Sequence, residues 1–90
     1  MIIDNKAQSR FELPLNGELA YADYQRLPDR LIISHVFTPP ALRGGGVASQ
    51  LMQAIVQQAQ QERLRIQPIC SYAAIWMKRH PEHEALLAAS

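Results

Sequence analysis

Apolar and polar residues alternate in three short segments of the N-terminal half, which is the pattern of β-strands buried on one side only. These segments are residues 9–13, 18–26 and 31–37. Asn16 and Gly17 form a strong hairpin-turn dipeptide between the first two, and Pro28 with Asp29 marks a second turn. Three consecutive strands joined by short turns predict a three-stranded antiparallel meander.

Strict alternation also predicts which side chains share a face of the sheet. In the second strand the two sets are Leu19, Tyr21 and Asp23, and Ala20, Ala22 and Tyr24. In the third strand they are Leu31, Ile33, His35 and Phe37, and Ile32, Ser34 and Val36. His35 is therefore expected on the same face as the apolar Leu31 and Ile33.

After residue 46 the spacing of apolar residues changes to the period of an amphipathic helix. The apolar positions are Val47, Ala48, Leu51, Met52, Ile55, Val56 and Ala59. A helix over residues 46–62 would pack this stripe on one face of the sheet and leave a glutamine-rich face in solvent.

A fourth strand is predicted at residues 64–69, parallel to the third because a strand-helix-strand crossover normally makes its two strands parallel. Pro68 lacks an N–H donor and interrupts pairing, so we expect the two strands to diverge there and leave a cleft. Residues 70–80 then predict a second helix that ends at Pro81, and residues 82–89 a final turn or short helix.

The glycine-rich stretch before the first helix is a candidate anion site. It reads Arg43-Gly44-Gly45-Gly46-Val47-Ala48. The first amides of a helix have no internal partners and lie at the positive end of its dipole, and Arg43 adds a permanent cation. A diphosphate group suits such a cluster of amides beside one guanidinium. An ordinary glycine loop that caps a core helix is the alternative.

The spacing of the loop residues narrows the choice of diphosphate. The nucleoside triphosphate loop motif is absent, and Ser49 stands where the dinucleotide fingerprint requires its third glycine. The chain does contain Arg/Gln-x-x-Gly-x-Gly/Ala at Arg43, Gly46 and Ala48. This motif resembles the acetyl-CoA pyrophosphate loop of the GCN5-related N-acetyltransferases (GNAT).

The rest of the chain resembles the same superfamily, in its small YjdJ-type branch. The matching pieces are His35, residues 39–48, the Leu51 and Ala59 helix, and residues 66–72. The resemblance implies an α+β (α/β-like) architecture: a truncated GNAT fold that keeps the acetyl-CoA half and lacks most elements of an acceptor pocket. One departure is Gly45, where many relatives carry a side chain.

The resemblance also implies which residues bind acetyl-CoA. The backbone of Val36, Phe37 and Thr38 would contact the thioester, and one of these amides would polarise its carbonyl. The diphosphate would lie on the loop residues, which are Arg43, Gly44, Gly45, Gly46, Val47 and Ala48.

Cys70 and His35 are the candidate catalytic residues. Cys70 is predicted at the start of the second helix, where a thiolate is favoured; it would carry the acetyl group, lie near the thioester, or be a small core residue. His35 precedes the loop, and the unperturbed pKa of histidine, about 6.5, suits a general base; a hydrogen-bonded core histidine is the alternative. Tyr72 would protonate the departing thiolate or serve in packing.

Composition excludes several other classes of protein. The chain has 90 residues and a net charge of +1, with no basic run for nucleic acid and no apolar stretch long enough for a membrane span. One cysteine and the absence of a secretory signal favour a single cytoplasmic domain over residues 1–90. His80 and His83 lack further ligands for a metal site, and we expect them to be exposed.

These observations predict an acetyl-CoA-dependent N-acyltransferase with an amine acceptor, either a small molecule or a protein. Two alternatives stay open: a CoA or acyl-CoA binding module without turnover, and a small interaction domain whose loop holds no ligand. Because the chain is short, a homodimer is one way to complete an acceptor site.

Overall fold

The computed structural model describes residues 2–88, which form one mixed five-stranded sheet with helices on one face. The strands are β1 (Ile3–Asn5), β2 (Arg10–Leu15), β3 (Glu18–Arg26), β4 (Arg30–Phe37) and β5 (Arg65–Pro68), and they lie in that order across the sheet. The α-helices are α1 (Val47–Glu62) and α2 (Ser71–Arg79). Short 3-10 helices cover Pro40–Leu42 and Pro81–Leu86.

The first four strands form an antiparallel meander, and β5 lies parallel to β4 after the α1 crossover. The predicted meander, its hairpin and the parallel last strand are confirmed. Asn16 and Gly17 both have positive φ, as a tight hairpin turn requires. The predicted sheet omitted β1, an edge strand of three residues that is too short to show an alternating pattern.

Alternation along β2 and β3 builds one face of the core. Phe11, Leu13, Ala20 and Ala22 are buried there, against the apolar stripe of α1. Leu31, Ile33 and Ile66 continue the same face across β4 and β5. Apolar side chains of both α-helices pack on this face of the sheet. The residues are therefore removed from water in one shared core.

The helix bounds agree with those predicted from the periodicity. Gly46 is the N-cap of α1 and Cys70 the N-cap of α2. Pro81 ends α2 and opens a 3-10 helix, after which Leu87 forms an isolated bridge to Ile66 at the outer edge of β5. Of the predicted final segment, Ala89 lies outside the described residues.

Candidate active site

The cleft of this protein opens where β5 leaves β4. Their ladder ends at the pair Ile33 and Pro68, and the amides of Ile69 and Cys70 both donate to the Ile33 carbonyl, at 3.1 Å each. Beyond this point β4 continues to Phe37, whereas the chain after β5 turns away into α2. The divergence predicted from Pro68 is confirmed.

A β-bulge in β4 determines which side chains border the cleft. Ile33 lies opposite Tyr24 and His35 lies opposite Asp23, so Ser34 is an extra residue in β4. One inserted residue turns every later side chain to the other face. The prediction that His35 and Phe37 share a face with Leu31 and Ile33 is therefore wrong. Val36 takes the core face, and His35 and Phe37 lie on the face that neither described α-helix covers.

The pairing pattern also shows where the backbone of Val36 points. The Tyr24 amide donates to the Ser9 carbonyl on the β2 side, so alternate residues of β3, namely Asp23 and Tyr21, direct their backbone groups toward β4. Asp23 and Tyr21 lie opposite His35 and Phe37. The intervening Val36 must then direct its N–H and C=O away from β3, into the gap left by β5.

The glycine loop presents unpaired amides to the same gap. Gly44 and Gly46 have φ values of 86° and 77°, which residues with side chains rarely adopt. The amides of residues 44–49 make no hydrogen bond of good geometry with another described residue. No side chain among residues 2–88 caps α1 and no acidic residue lies in its first turn, so these residues leave the positive end of its dipole uncompensated.

Arg43 closes one side of the opening. Its Nε donates to the Thr38 carbonyl at 3.0 Å, and its side chain is exposed. This bond ties the loop to the end of β4 and leaves the two terminal nitrogens of the guanidinium for a ligand.

These features enclose a cleft of about 470 Å³. It is lined by His35, Val36, Phe37, Thr38, Leu42, Arg43, Gly44, Gly46, Val47, Ala48, Ser49 and Tyr72. Of the predicted site residues, Gly45 and Cys70 are not in this lining. The structure therefore brings the end of β4, the loop and the first turn of α1 together around one cavity.

Comparison with known proteins connects this arrangement to a family. A family model described as GCN5-related N-acetyl-transferase matches residues 10–86, which is most of the chain. The chain belongs to the GCN5-related N-acetyltransferase family. The match includes both β4 and the loop, the two segments that form the cleft.

A solved GNAT-like structure has the same fold. It is the NMR solution structure of a GCN5-like candidate N-acetyltransferase from Staphylococcus aureus. The match has a TM-score of 0.76, covers 100% of this chain and 89% of that chain, and has 22% sequence identity. At this identity the likeness concerns the fold alone. A search of curated proteins finds no significant match.

Ser49 and Trp76 join the first turn of α1 in this GNAT protein to α2. The indole Nε1 of Trp76 donates to Ser49 Oγ at 2.9 Å, so the Ser49 hydroxyl keeps its own proton for an acceptor in the cleft. The His80 ring stacks on Trp76 at 3.7 Å, and the His83 ring lies 5.9 Å from it. The two histidines are half-buried, so the prediction that they are exposed is wrong. No sequence pattern pointed to Ser49, except its place in the first helical turn.

Tyr72 contributes a phenol to the cleft wall. Burial raises the pKa of Tyr72 above its usual value, and the nearby Arg79 opposes this shift. The phenol is therefore protonated at neutral pH and can donate a proton or a hydrogen bond.

Cys70 lies beside the cleft. It is the N-cap of α2, half-buried, and packed against the core. The thiol of Cys70 is not part of the cleft wall. Its catalytic role stays a prediction.

Two further observations concern metal binding and membrane crossing by residues 2–88. They contain no group of three or more His, Cys, Asp or Glu side chains arranged to hold a metal ion. Neither described α-helix has the length and apolar character needed to cross a membrane.

Proposed function

We propose that this GNAT protein transfers an acetyl group from acetyl-CoA to an amine. The observation that carries the proposal is the meeting of two sets of unpaired backbone amides at one cleft. One set belongs to residues 44–49 and the other is the amide of Val36. The first set suits a diphosphate, and the second suits a carbonyl oxygen that gains negative charge during acyl transfer.

The pantetheine arm would lie along the open edge of β4. Arg43 and the first turn of α1 would hold the diphosphate, with the Ser49 hydroxyl as an additional donor. The thioester would then reach the gap beside Val36. A carbonyl oxygen hydrogen-bonded to the Val36 amide is polarised before the amine attacks.

His35 and Tyr72 are the residues we assign to the two proton transfers of the reaction. His35 lines the cleft and would accept a proton from the attacking amine. The new C–N bond forms at the carbonyl carbon, the C–S bond breaks, and the CoA thiolate leaves. Tyr72, which is protonated at neutral pH, would donate to that thiolate.

The experiment is calorimetry with acetyl-CoA, followed by an assay for free CoA thiol with a panel of amines. We expect binding and amine-dependent thiol release. Absence of binding at millimolar acetyl-CoA would contradict the proposal. Binding without release for any amine would instead favour a CoA-binding module.

Val36→Pro tests the carbonyl contact because proline lacks the N–H donor that points into the gap. We expect acetyl-CoA to bind normally and transfer to slow about a hundredfold, the usual effect of losing one such donor. Val36→Ala is the matched control because it keeps the amide. Equal rates of acetyl transfer for the two variants would contradict a role of the Val36 amide in the reaction.

The proposed role of Cys70 has its own test. If Cys70 carries the acetyl group, mass spectrometry of the protein after incubation with acetyl-CoA will show an acetyl adduct that Cys70→Ala lacks. Full amine acetylation by Cys70→Ala would show that the amine attacks acetyl-CoA directly.

A further inference from the structure

The uncovered face of the sheet carries an ordered group of side chains beside the cleft. Directly opposed residues of antiparallel strands share a face, so the pairings define two rows. One row is Arg10, Asp23 and His35, and the next is Glu12, Tyr21 and Phe37. We call these six residues the open-face cluster. None of them is buried within residues 2–88, and the buried residues of both α-helices join the core on the other face.

The open-face cluster is continuous with the cleft. His35 and Phe37 belong to both, and Val36 lies between them with its amide directed into the gap. A nitrogen that approaches from the open face and stops beside His35 is therefore next to the proposed thioester carbonyl. Acetyl-CoA occupies the loop side of the cleft in this arrangement, so the open face is left for the acceptor.

The chemistry of the cluster suits a cation with an aliphatic stem. The Tyr21 ring lies 5.2 Å from the Phe37 ring and 6.2 Å from the His35 ring. The guanidinium of Arg10 already lies over Tyr21 at 4.1 Å, which shows that this surface accommodates a cation on an aromatic face.

The charges of the cluster favour the same ligand. One Arg10 stands against the two carboxylates of Asp23 and Glu12, a net charge of −1. Arg10 Nε lies 3.3 Å from Asp23 Oδ1, on the side of Asp23 away from its cross-strand neighbour His35. The other carboxylate oxygen of Asp23 can therefore attract an ammonium group toward His35.

The shape of the open face indicates whether the amine belongs to a small molecule or to a peptide. Sites for small molecules enclose most of the ligand. The open face is one layer of sheet with no second wall among residues 2–88. An acceptor held here must bring contact area of its own, as a peptide does when its lysine side chain lies on exposed aromatic rings.

We infer that the open-face cluster binds the lysine side chain of a peptide or protein and directs its ε-amine to the acetyl group. This inference rests on the proposed acetyltransferase function. The lysine ammonium gives one proton to His35 and its nitrogen attacks the thioester carbon. As the C–S bond breaks, the CoA thiolate takes a proton from Tyr72, and the second proton released by the nitrogen returns to Tyr72. The products are an ε-N-acetyl-lysine peptide, CoA thiol and protonated His35.

The first experiment compares acceptors at saturating acetyl-CoA. The substrates are a lysine-containing peptide, the same peptide with norleucine in place of lysine, butylamine and spermidine, with CoA thiol release as the readout. We expect the lysine peptide to have the highest kcat/KM and the norleucine peptide to be inactive. Faster acetylation of butylamine or spermidine would overturn the inference while leaving the proposed acetyltransferase intact. Absence of acetyl-CoA binding would contradict both the inference and the proposed acetyltransferase function.

The second experiment uses variants of the cluster. Asp23→Asn and Tyr21→Ala, two changes in the cluster outside the cleft lining, are expected to raise the KM for the lysine peptide about tenfold each, with the KM for acetyl-CoA unchanged. Gln25→Ala is the matched control because Gln25 is exposed on the same strand but pairs with Ile32, away from the cleft. Equal peptide KM values in all three variants would overturn the inference.

A titration of the unaltered protein avoids any dependence on variant folding. With CoA bound, the lysine peptide is expected to shift the NMR signals of Tyr21, Asp23 and Phe37. Shifts confined to the exposed Ile69 and Ile75 near α2 would overturn the inference. So would a CoA-bound protein that sediments as a dimer with the signals of the open-face cluster broadened, because a second copy would then cover the surface.

Discussion

The two ends of α1 differ in their hydrogen bonds: at the C-terminal end the carbonyls of Ala59 and Gln60 accept from the residues that follow the helix, whereas the first amides of the helix have no partner among residues 2–88. At the C-terminus, Arg63 adopts a left-handed conformation and the amide of Leu64 donates back to Ala59 at 2.8 Å. At the N-terminus, Gly46 provides no side-chain cap and the first amides face the cleft. A helix end left without partners is unfavourable for folding, so its retention at the cleft fits a role in binding.

Charged side chains also differ between the two ends of α1. Arg26 donates to both carboxylate oxygens of Glu62, at 3.0 and 2.8 Å, and to Asp4 at 3.1 Å. The Tyr24 hydroxyl donates to the other Asp4 oxygen at 2.6 Å. This network joins β1, β3 and the end of α1. At the other end of the helix, Arg43 keeps its terminal nitrogens for a ligand. We expect changes at one end to alter stability and changes at the other to alter binding.

The largest expected effect is that of Gly46→Glu, which should weaken acetyl-CoA binding at least about a hundredfold because a carboxylate would lie among the diphosphate-binding amides. Gly46→Gln is the matched control, since it has the same positive-φ strain without the charge. Calorimetry measures the affinity and thermal unfolding the stability. The Glu variant should unfold no earlier than the Gln variant, because an acidic residue is favourable at a helix N-terminus. Equal losses of affinity would contradict the assignment of this site to phosphate.

At the C-terminal end of α1, Arg26→Met should lower the free energy of unfolding by about 2 kcal/mol, because it removes the cation that the carboxylates of Asp4 and Glu62 share. The dissociation constant for acetyl-CoA should not change. Urea denaturation and calorimetry provide the two measurements. Lys78→Met, at an exposed position of α2, is the control and should alter stability by less than about 0.5 kcal/mol. Weaker acetyl-CoA binding by Arg26→Met would show that the two ends of α1 are coupled.

Trp76→Phe tests the hydrogen bond between α2 and the N-terminal end of α1. The variant loses the hydrogen bond to Ser49, so we expect acetyl-CoA affinity to fall about fivefold, equivalent to one neutral hydrogen bond. Ser49→Ala should have a similar effect. In the double variant the two losses should not add, since both remove the same interaction. Additive losses would mean that Trp76 and Ser49 act separately.

The smallest expected effect is a pH dependence of stability. Hydrogen bonds from Arg26 hold the pKa of Glu62 below its usual value of 4.5, although partial burial opposes them. The unfolded chain therefore binds the proton more readily, and the stabilisation is present above pH 4.5 and lost as pH falls through the folded pKa. Glu62→Gln should flatten the fall in stability below pH 4.5 by less than about 1 kcal/mol. Parallel pH profiles from urea denaturation would contradict this assignment.

The elements that were predictable from sequence are those with a local cause. The α1 stripe follows from a period of 3.6 residues, and the hairpin from Asn16 and Gly17, which tolerate positive φ. The β4–β5 ladder ends at Pro68, the position where its sequence predicted an end. Five of the six loop residues line the cleft, and Gly45 does not; a glycine-rich segment before a helix leaves backbone amides accessible to a ligand.

Residues whose placement depends on distant partners could not be assigned in this way. Strict alternation placed His35 on the core face, whereas the pairing of β3 with β4 inserts Ser34 and turns His35 outward. The short β1 pairs with β2, and its Asp4 accepts hydrogen bonds from Tyr24 and Arg26 of β3.

Local sequence features were enough to predict the order of strands and helices from β2 onward, the divergence of β4 and β5, and the uncapped glycine start of α1. The face that His35 and Phe37 occupy and the hydrogen bond from Trp76 to Ser49 depend on the folded arrangement. The two groups of features differ in the range of the interactions that produce them. Backbone propensity and periodicity act between neighbours in the chain, whereas a bulge or a side-chain hydrogen bond depends on the partner that folding brings alongside.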